Sequence, residues 1–473
     1  MKLFNTIFHF EWIQLKRQKT QWISLFVFFI IGCYATYAGH RTIQKQNLVL
    51  TKLQQQYNQD HVLTLQKFTD TLTAETKAQA AQAGMAQIIN FRMPPLALDH
   101  PHALATLSIG QRDVNPYYQK VKSSVNYLDQ ENVEISNPAQ LFAGNFDLAF
   151  VLIYLLPLLI ITLCYPTYAE EKEQGTYALL SIQASNLTTI LNYKLLFRLT
   201  VVLGLVLLLN LVGFAVAGQQ TVLSLSSAML WLWLSLAYIA FWFAICYFFL
   251  QFKRSSIVTA LQLIGAWLFF LILLPSLTNS YISLKHPIPL RASLASYQRH
   301  VSEEVWEMKP IVLADSFNRY NPQYNSSINL AKDSTKNGER FIAGYYDLSE
   351  RKVARFAKHI DQQLVQKNQM AAQLAVINPS IQLQYLFNAL AHTGRNDHQN
   401  FKQAVSRFQK EWKHHLLRYQ LTGTYFTPAE LKQLPKFKLE NDTNNLSIWM
   451  GSLSLWIGTM LFLMLSLMIN KKN

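Results

Sequence analysis

The chain has 473 residues, of which 51% are hydrophobic and only 15% charged, and its formal net charge is +15. Soluble domains carry about 25% charged residues, so an ordinary soluble enzyme and an intrinsically disordered chain are both excluded. The three cysteines, Cys33, Cys164 and Cys246, each lie inside an apolar run; they read as small hydrophobes, not as a disulfide framework.

Residues 1–20 read as an amphipathic helix lying at a membrane interface, with Leu3, Phe4, Ile7, Phe8, Trp12 and Leu15 on its lipid-facing side. A first apolar span follows at 21–40. The long polar flank before it favours an uncleaved span over a signal peptide. Residues 41–90 hold no proline and a single glycine, Gly84, so the first span is expected to run on as a long helix. Pro94, Pro95, Pro101 and Pro116 break 91–118 into extended pieces and turns. A second span occupies 147–169.

The run 199–252 lacks Asp, Glu, Lys and Arg and is long enough for two spans, with Gly218-Gln219-Gln220-Thr221 as the hairpin between them. Residues 255–284 form a fifth span containing Pro275, and 443–470 a sixth. In the final segment, helices are expected at about 293–308, 347–375, 379–393 and 397–420. Asn378-Pro379 marks a helix start, and 312–343 reads as loop with short strands.

The short segments on the N-terminal side of the membrane hold 11 Lys and Arg, whereas the short loop at 218–221 holds none. The positive-inside rule then places both termini in the cytoplasm. The fold class is mainly α: a six-span helical membrane protein with two largely helical extracytoplasmic domains. The expected order is an interfacial helix (1–20), a first span (21–40), extracytoplasmic domain 1 (41–146), a second span (147–169), a cytoplasmic segment (170–194), spans three to five (195–278), extracytoplasmic domain 2 (279–442), and a sixth span with the C-terminus (443–473). Domain 1 is nearly neutral. Domain 2 carries 22 Lys and Arg against 14 Asp and Glu, so it could face lipid headgroups, an acidic partner or an anionic substrate. The remaining positive charge lies mainly on the cytoplasmic side, where anionic lipid accounts for it and nucleic acid is not needed as a partner.

The chain has no phosphate-binding Gly-x-x-x-x-Gly-Lys-[Ser/Thr] loop, no His-Glu-x-x-His helix and no Cys-x-x-Cys. No span core carries an ionisable residue, which argues against a proton-coupled pump or ion channel. His100 and His102, with His392, His398, His414 and His415, are the candidate metal ligands; surface or packing histidines are the simpler reading. No metal site is therefore assigned.

The strongest local signal is Glu170-Glu171-Lys172-Glu173-Gln174-Gly175-Thr176-Tyr177-Ala178-Leu179-Leu180, with Lys194 downstream. It is an acidic cluster at a membrane exit, a glycine break and a short apolar stretch. Docking of a soluble partner and a plain loop with acids at a helix start fit it equally well. The stretch resembles the Glu-x-x-x-Gly-Thr…Leu-Leu…Lys element of ABC-2-type permeases, the membrane subunits of ABC transporters, in which it holds the coupling helix. By that resemblance Glu170, Glu171, Glu173, Gly175, Thr176, Leu179 and Leu180 would contact an ATPase dimer. The interfacial helix and six spans match the same architecture.

A second resemblance covers Asn378-Pro379-Ser380-Ile381-Gln382-Leu383-Gln384, then Ala389 to His398, Phe401 and Trp412. These residues look like a periplasmic domain of unknown function inserted between the last two spans of some such permeases. His392-Thr393-Gly394 stands where Ala-Gly-Thr is usual. The resemblances imply a bacterial inner-membrane subunit with no catalytic residue, metal or cofactor of its own, ATP-Mg being held by the partner ATPase. They also imply a second permease chain, identical or paralogous, and outer domains that cap an exit or reach a periplasmic protein. The expected function is export of an unidentified substrate driven by the partner ATPase; the alternative is transmission of motion to the outer domains with nothing crossing the bilayer, and a membrane-anchored enzyme or receptor is the third reading.

Overall fold

The computed structural model describes residues 2–69, 73–123, 145–173, 175, 187–219, 221–287, 291–324, 334–439 and 445–470. It is overwhelmingly helical, and six helices are long and apolar enough to cross a membrane. The chain is a multi-pass membrane protein. The bundle has a proximal end, which carries both termini, and a distal end, which carries the two large insertions.

Helix α1 (Lys2–Arg17) leads into α2 (Lys19–Thr69), an unbroken helix of 51 residues. At 1.5 Å per residue α2 is about 76 Å long, more than twice the hydrocarbon thickness. Its outer half folds back through α3 (Ala74–Ala83) and α4 (Ala86–Arg92). The proline-broken stretch then forms a small antiparallel pair, β1 (Leu96–Leu98) with β2 (Tyr118–Lys120), in register Ala97 to Gln119. A single 3-10 turn, Ala103–Thr106, lies between the strands and against α2. There Gly39 is required, because a Cβ would stand 2.0 Å from the Thr106 carbonyl oxygen.

The remaining membrane helices are α5 (Leu148–Glu173), α6 (Thr188–Ala217), α7 (Leu225–Leu250), α8 (Ser256–Lys285) and the last span (Asn445–Asn470). Asp147 caps α5, its carboxylate accepting the Phe150 N–H at 2.8 Å and the Ile109 N–H at 2.8 Å. Two spans are deformed in the same way. A five-residue π turn (Val151–Leu155) precedes Leu156-Pro157 in α5, and another (Phe269–Leu273) precedes Leu274-Pro275 in α8. A π turn widens the helix and leaves carbonyls without an intrahelical donor, and proline removes one donor more.

In the distal insertion, α9 (Arg291–Trp306), α10 (Pro310–Tyr320) and α11 (Ser334–Ala375) form one lobe around Val301, Val305, Leu313 and Val353. The loop expected over 312–343 is therefore corrected at both ends. Pro310 opens a helix whose Leu313, Ala314 and Phe317 recur at helical spacing and are buried. That period outweighs the polar composition of the stretch. Next come α12 (Pro379–Leu390), α13 (Arg395–Thr422) and the short α14 (Pro428–Leu431). The last span is α15.

The two insertions share one core. Ala86, Ile89, Met93, Ala97 and Val121 from the first pack with Phe401, Val405, Phe408, Trp412 and Leu416 of α13. Trp412 donates its indole N–H to Asn90 across this seam at 3.3 Å. Helix α12 belongs elsewhere. Leu383, Leu386, Phe387 and Leu390 are buried in the same cluster as the spans, and Phe387 stacks on Trp231 of α7 with centroids 4.0 Å apart.

Candidate coupling site

Two polar joints hold this architecture together, one at each end of the bundle. The proximal joint starts from α1. Ile7, Glu11 and Leu15, four residues apart, are its buried residues, whereas Phe10 and Ile13 face outward. The buried face of α1 thus turns toward the bundle and carries a carboxylate, where an all-apolar lipid-facing stripe was expected. Glu11, only 3% exposed, lies 3.1 Å from Lys194 and 3.7 Å from Arg198. Both cations sit on α6, within the helix that carries the third candidate span rather than in the loop before it. Lys194 also donates to Glu171 at the end of α5, and Arg198 donates to the Leu163 carbonyl and the Thr167 hydroxyl. Two carboxylates and two cations thereby tie α1, α5 and α6 together. Charges this buried are tolerated because each meets an opposite charge; removing one partner of such a pair costs about 3–5 kcal/mol.

This joint brackets the acidic stretch singled out by sequence. Glu171 points back to Lys194. Glu173 crosses to α8, accepting the Ser256 N–H at 3.1 Å and its hydroxyl at 2.8 Å, which satisfies a free donor at a helix start. Gly175 follows with φ +74°, in the left-handed region, and no described residue lies within 4 Å of where a Cβ would stand. Glu170 lies on the same terminal helical turns. Thr176, Leu179 and Leu180 lie outside the described residues. The structure therefore brings Glu171 and Glu173 into structural roles at the mouth of the loop.

The distal joint is neutral. Pro157 has no N–H for the Ile153 carbonyl four residues earlier. The Tyr238 hydroxyl of α7 donates to that carbonyl at 2.9 Å and stands 3.0 Å from the Ser380 hydroxyl. In α8 the Leu274 N–H is taken by the Phe269 carbonyl, and the next residue is Pro275. The Phe270 carbonyl is left without either donor, and the Asn378 side-chain N–H supplies one at 2.9 Å. The Asn378 side-chain oxygen meanwhile accepts the Ser380 N–H at 2.9 Å, capping α12. Trp267 of α8 donates to the Tyr154 carbonyl of α5 at 3.1 Å. In an apolar surround an unsatisfied backbone group costs on the order of several kcal/mol, so these donors have strong reason to stay. Sequence reading found Asn378-Pro379 as a helix start but not this second use. The repeated Leu-Leu-Pro at 155–157 and 273–275 is the sequence signal that could have pointed to it.

The histidines divide. His102 and His392, 290 residues apart in sequence, meet with ring centroids 5.1 Å apart where the two insertions touch. His392 has φ +55° and its Nδ1 lies 3.3 Å from Asp397. Burial, and secondarily His392, push His102 down to about 4. Elsewhere His414 pairs with the Tyr324 hydroxyl at 2.7 Å, and His415 stacks on Trp412. Among the described residues no three His, Cys, Asp or Glu side chains are placed to hold a metal ion.

Residues 293–440 match the family model described as Domain of unknown function (DUF3526). The match covers the distal lobe, α12 and α13. No curated protein and no solved structure matches the chain.

Proposed function

We propose that the chain is the membrane subunit of an ATP-driven complex of the ABC-2 type and that it transmits motion from a cytoplasmic ATPase to its distal region. In this reading the proximal end is cytoplasmic and the distal end periplasmic. The ATPase dimer docks on the segment 174–186, with Glu170, Leu179 and Leu180 as contacts. ATP-Mg stays on that partner, and a second permease chain completes the membrane unit.

The observation that carries transmission over simple export is helix α2. It runs without a break from the proximal joint, through the membrane, into the distal core, where His61 Nε2 lies 3.1 Å from the Leu431 carbonyl. A rigid helix of this length passes displacement at one end to the other. The distal mass is also built of chain from both insertions, so it moves as one body with α2 and α13 rather than as separate caps.

The test is affinity purification of the tagged chain from its native membrane with a photo-crosslinking residue at Leu179. The expected result is an ATPase subunit at stoichiometric level, crosslinked through residue 179. Spin labels on the distal ends of α2 and α13 should then change separation from their membrane-buried counterparts when ATP is added. A chain that emerges alone, with no crosslink, sinks the ABC reading. A cargo that accumulates across the membrane, with distal distances unchanged, replaces transmission by export.

A further inference from the structure

The distal joint has a geometry that apolar packing alone does not require. Helix α12 lies within the segment matched by the family model, yet its buried face is part of the span core. It enters beside α7 and α15, where Gln382 donates to the Gly451 carbonyl at 3.0 Å. Its first residues reach the two π turns. Asn378, fully buried, donates to the Phe270 carbonyl in α8. Ser380, 4% exposed, meets Tyr238, which in turn donates to the Ile153 carbonyl in α5. Each contacted carbonyl lacks its ordinary donor beside a π turn two residues before a proline: Phe270 because the Leu274 N–H is taken by Phe269 and Pro275 follows, Ile153 because Pro157 has no N–H. One short helix therefore completes the backbone hydrogen bonding of α8 directly and holds the Tyr238 hydroxyl that completes that of α5.

We infer that α12 is a latch: through Asn378 it holds the fifth span in its π-turned shape and through Ser380 it holds Tyr238 against the second, so the distal region cannot shift its footing without disturbing both spans. Withdrawing α12 leaves the Phe270 carbonyl without a donor and strips Tyr238 of its partner. The fifth span then has to rewind toward a regular helix, which returns the Leu274 N–H to Phe270, or find another donor, and in an apolar surround other donors are scarce. In the second span Tyr238 remains the donor to Ile153 but is no longer held in place by Ser380. The coupling runs in the other direction as well. A fifth span that rewinds takes back the Phe270 carbonyl, and Asn378 is released. A two-state turn in the fifth span, tied through α12 to the second, forms a conformational switch with a defined structural cause. The inference deepens the transmission reading, yet it concerns this chain alone and needs no ATPase.

Hydrogen–deuterium exchange on the full chain in lipid nanodiscs tests it. Tyr238→Phe keeps the ring and removes only the hydroxyl; Ser380→Ala removes its partner. Each is expected to raise exchange at least five-fold in 151–158 and in 379–390. Asn378→Ala is expected to do so in 269–276 and 379–390. The double variant Tyr238→Phe/Ser380→Ala should exceed the stronger single variant by little, because both break one chain of hydrogen bonds. Peptides around Trp412, in the distal core, should stay protected in the Tyr238→Phe and Ser380→Ala variants and so report that the chain is folded. Unchanged exchange in the spans of folded Tyr238→Phe and Ser380→Ala variants overturns the latch and leaves α12 as apolar packing. Loss of protection everywhere in Asn378→Ala, with the other two variants silent, overturns it as well. Since no ATP is present, these outcomes stand apart from any failure to find an ATPase partner.

Discussion

The two joints solve the same problem with different chemistry. Each ties helices from distant parts of the sequence around a segment that has to hold its shape. The proximal joint uses four charged side chains, Glu11, Glu171, Lys194 and Arg198. The distal joint uses a phenol, an amide and an indole that donate to backbone carbonyls, and a serine hydroxyl set against the phenol. The difference follows what each joint satisfies. The proximal joint pairs ions that α1, α5 and α6 bring together, and each needs an opposite charge once buried. The distal joint supplies donors to backbone carbonyls beside a π turn and a proline, a task neutral groups perform without the desolvation cost of an ion. A charged joint should therefore fail abruptly when unbalanced, and a neutral one should lose only what each hydrogen bond contributes.

The largest effect expected is at Glu11. Glu11→Gln leaves Lys194 and Arg198 with one carboxylate, Glu171, between them. A loss of about 3–5 kcal/mol in unfolding free energy is expected. Adding Lys194→Met should restore a large part of it, because the double variant again balances. Thermal unfolding of the purified chain reads both. If Glu11→Gln costs under about 1 kcal/mol, the joint is a surface pair and the comparison collapses. Tyr238→Phe comes second: it removes one donor from the Ile153 carbonyl, for a loss of about 1–3 kcal/mol. An effect equal to that of Glu11→Gln would mean the two joints do not differ in kind.

Much of this architecture was legible in the sequence, and the reasons are physical. Five uncharged apolar runs, one of them long enough for two spans, account for six membrane helices, and the lack of proline from 41 to 69 for the long extension of α2. What stayed hidden depends on partners remote in sequence. Glu11 looks like a solvated residue until Lys194 and Arg198 are seen beside it. Ser380 looks like an ordinary first-turn serine until Tyr238, 142 residues away, is found against it. The shared core of the two insertions was hidden for the same reason, since Ile89 and Trp412 carry no mark of each other. The acidic stretch was read as a docking surface. For Glu171 and Glu173 the structure adds internal partners, so substitutions there test the fold as well as any docking.

Gly175 separates those two effects on a smaller scale. Its φ is +74° and no described residue lies within 4 Å of where a Cβ would be. For Gly175→Ala or Gly175→Val the expected cost is conformational, about 1–2 kcal/mol for a non-glycine residue in the left-handed region. Valine should be the worse of the two, because its branched side chain is stiffer. The proximal joint should survive both changes, so the unfolding midpoint is expected to move little while ATPase stimulation, under the proposed function, falls. A valine variant with full stimulation would show that the turn is not used in coupling.

The smallest effect expected is at the seam between the insertions, and its sign is fixed by His102. Burial, with His392 beside it, lowers this imidazole from the usual range to about 4. Between about pH 6.5 and pH 4 the unfolded chain therefore takes up a proton that the folded chain refuses. The contribution of His102 to stability is complete above pH 6.5 and is lost as pH falls toward 4. Asp99, His100, Arg112 and Asp397 lie nearby and are present in parent and variant alike, so the difference between the two chains isolates His102. His102→Gln keeps a polar side chain but has no proton to gain over this range. Its unfolding midpoint should fall less steeply than the parent's from pH 7 to pH 4.5, with the two curves diverging most below pH 5.5. Parallel curves would mean that His102 titrates normally and that the seam is open to water. In that case the two insertions do not exclude solvent where they meet, and the rigid distal body that the transmission reading needs loses one of its contacts.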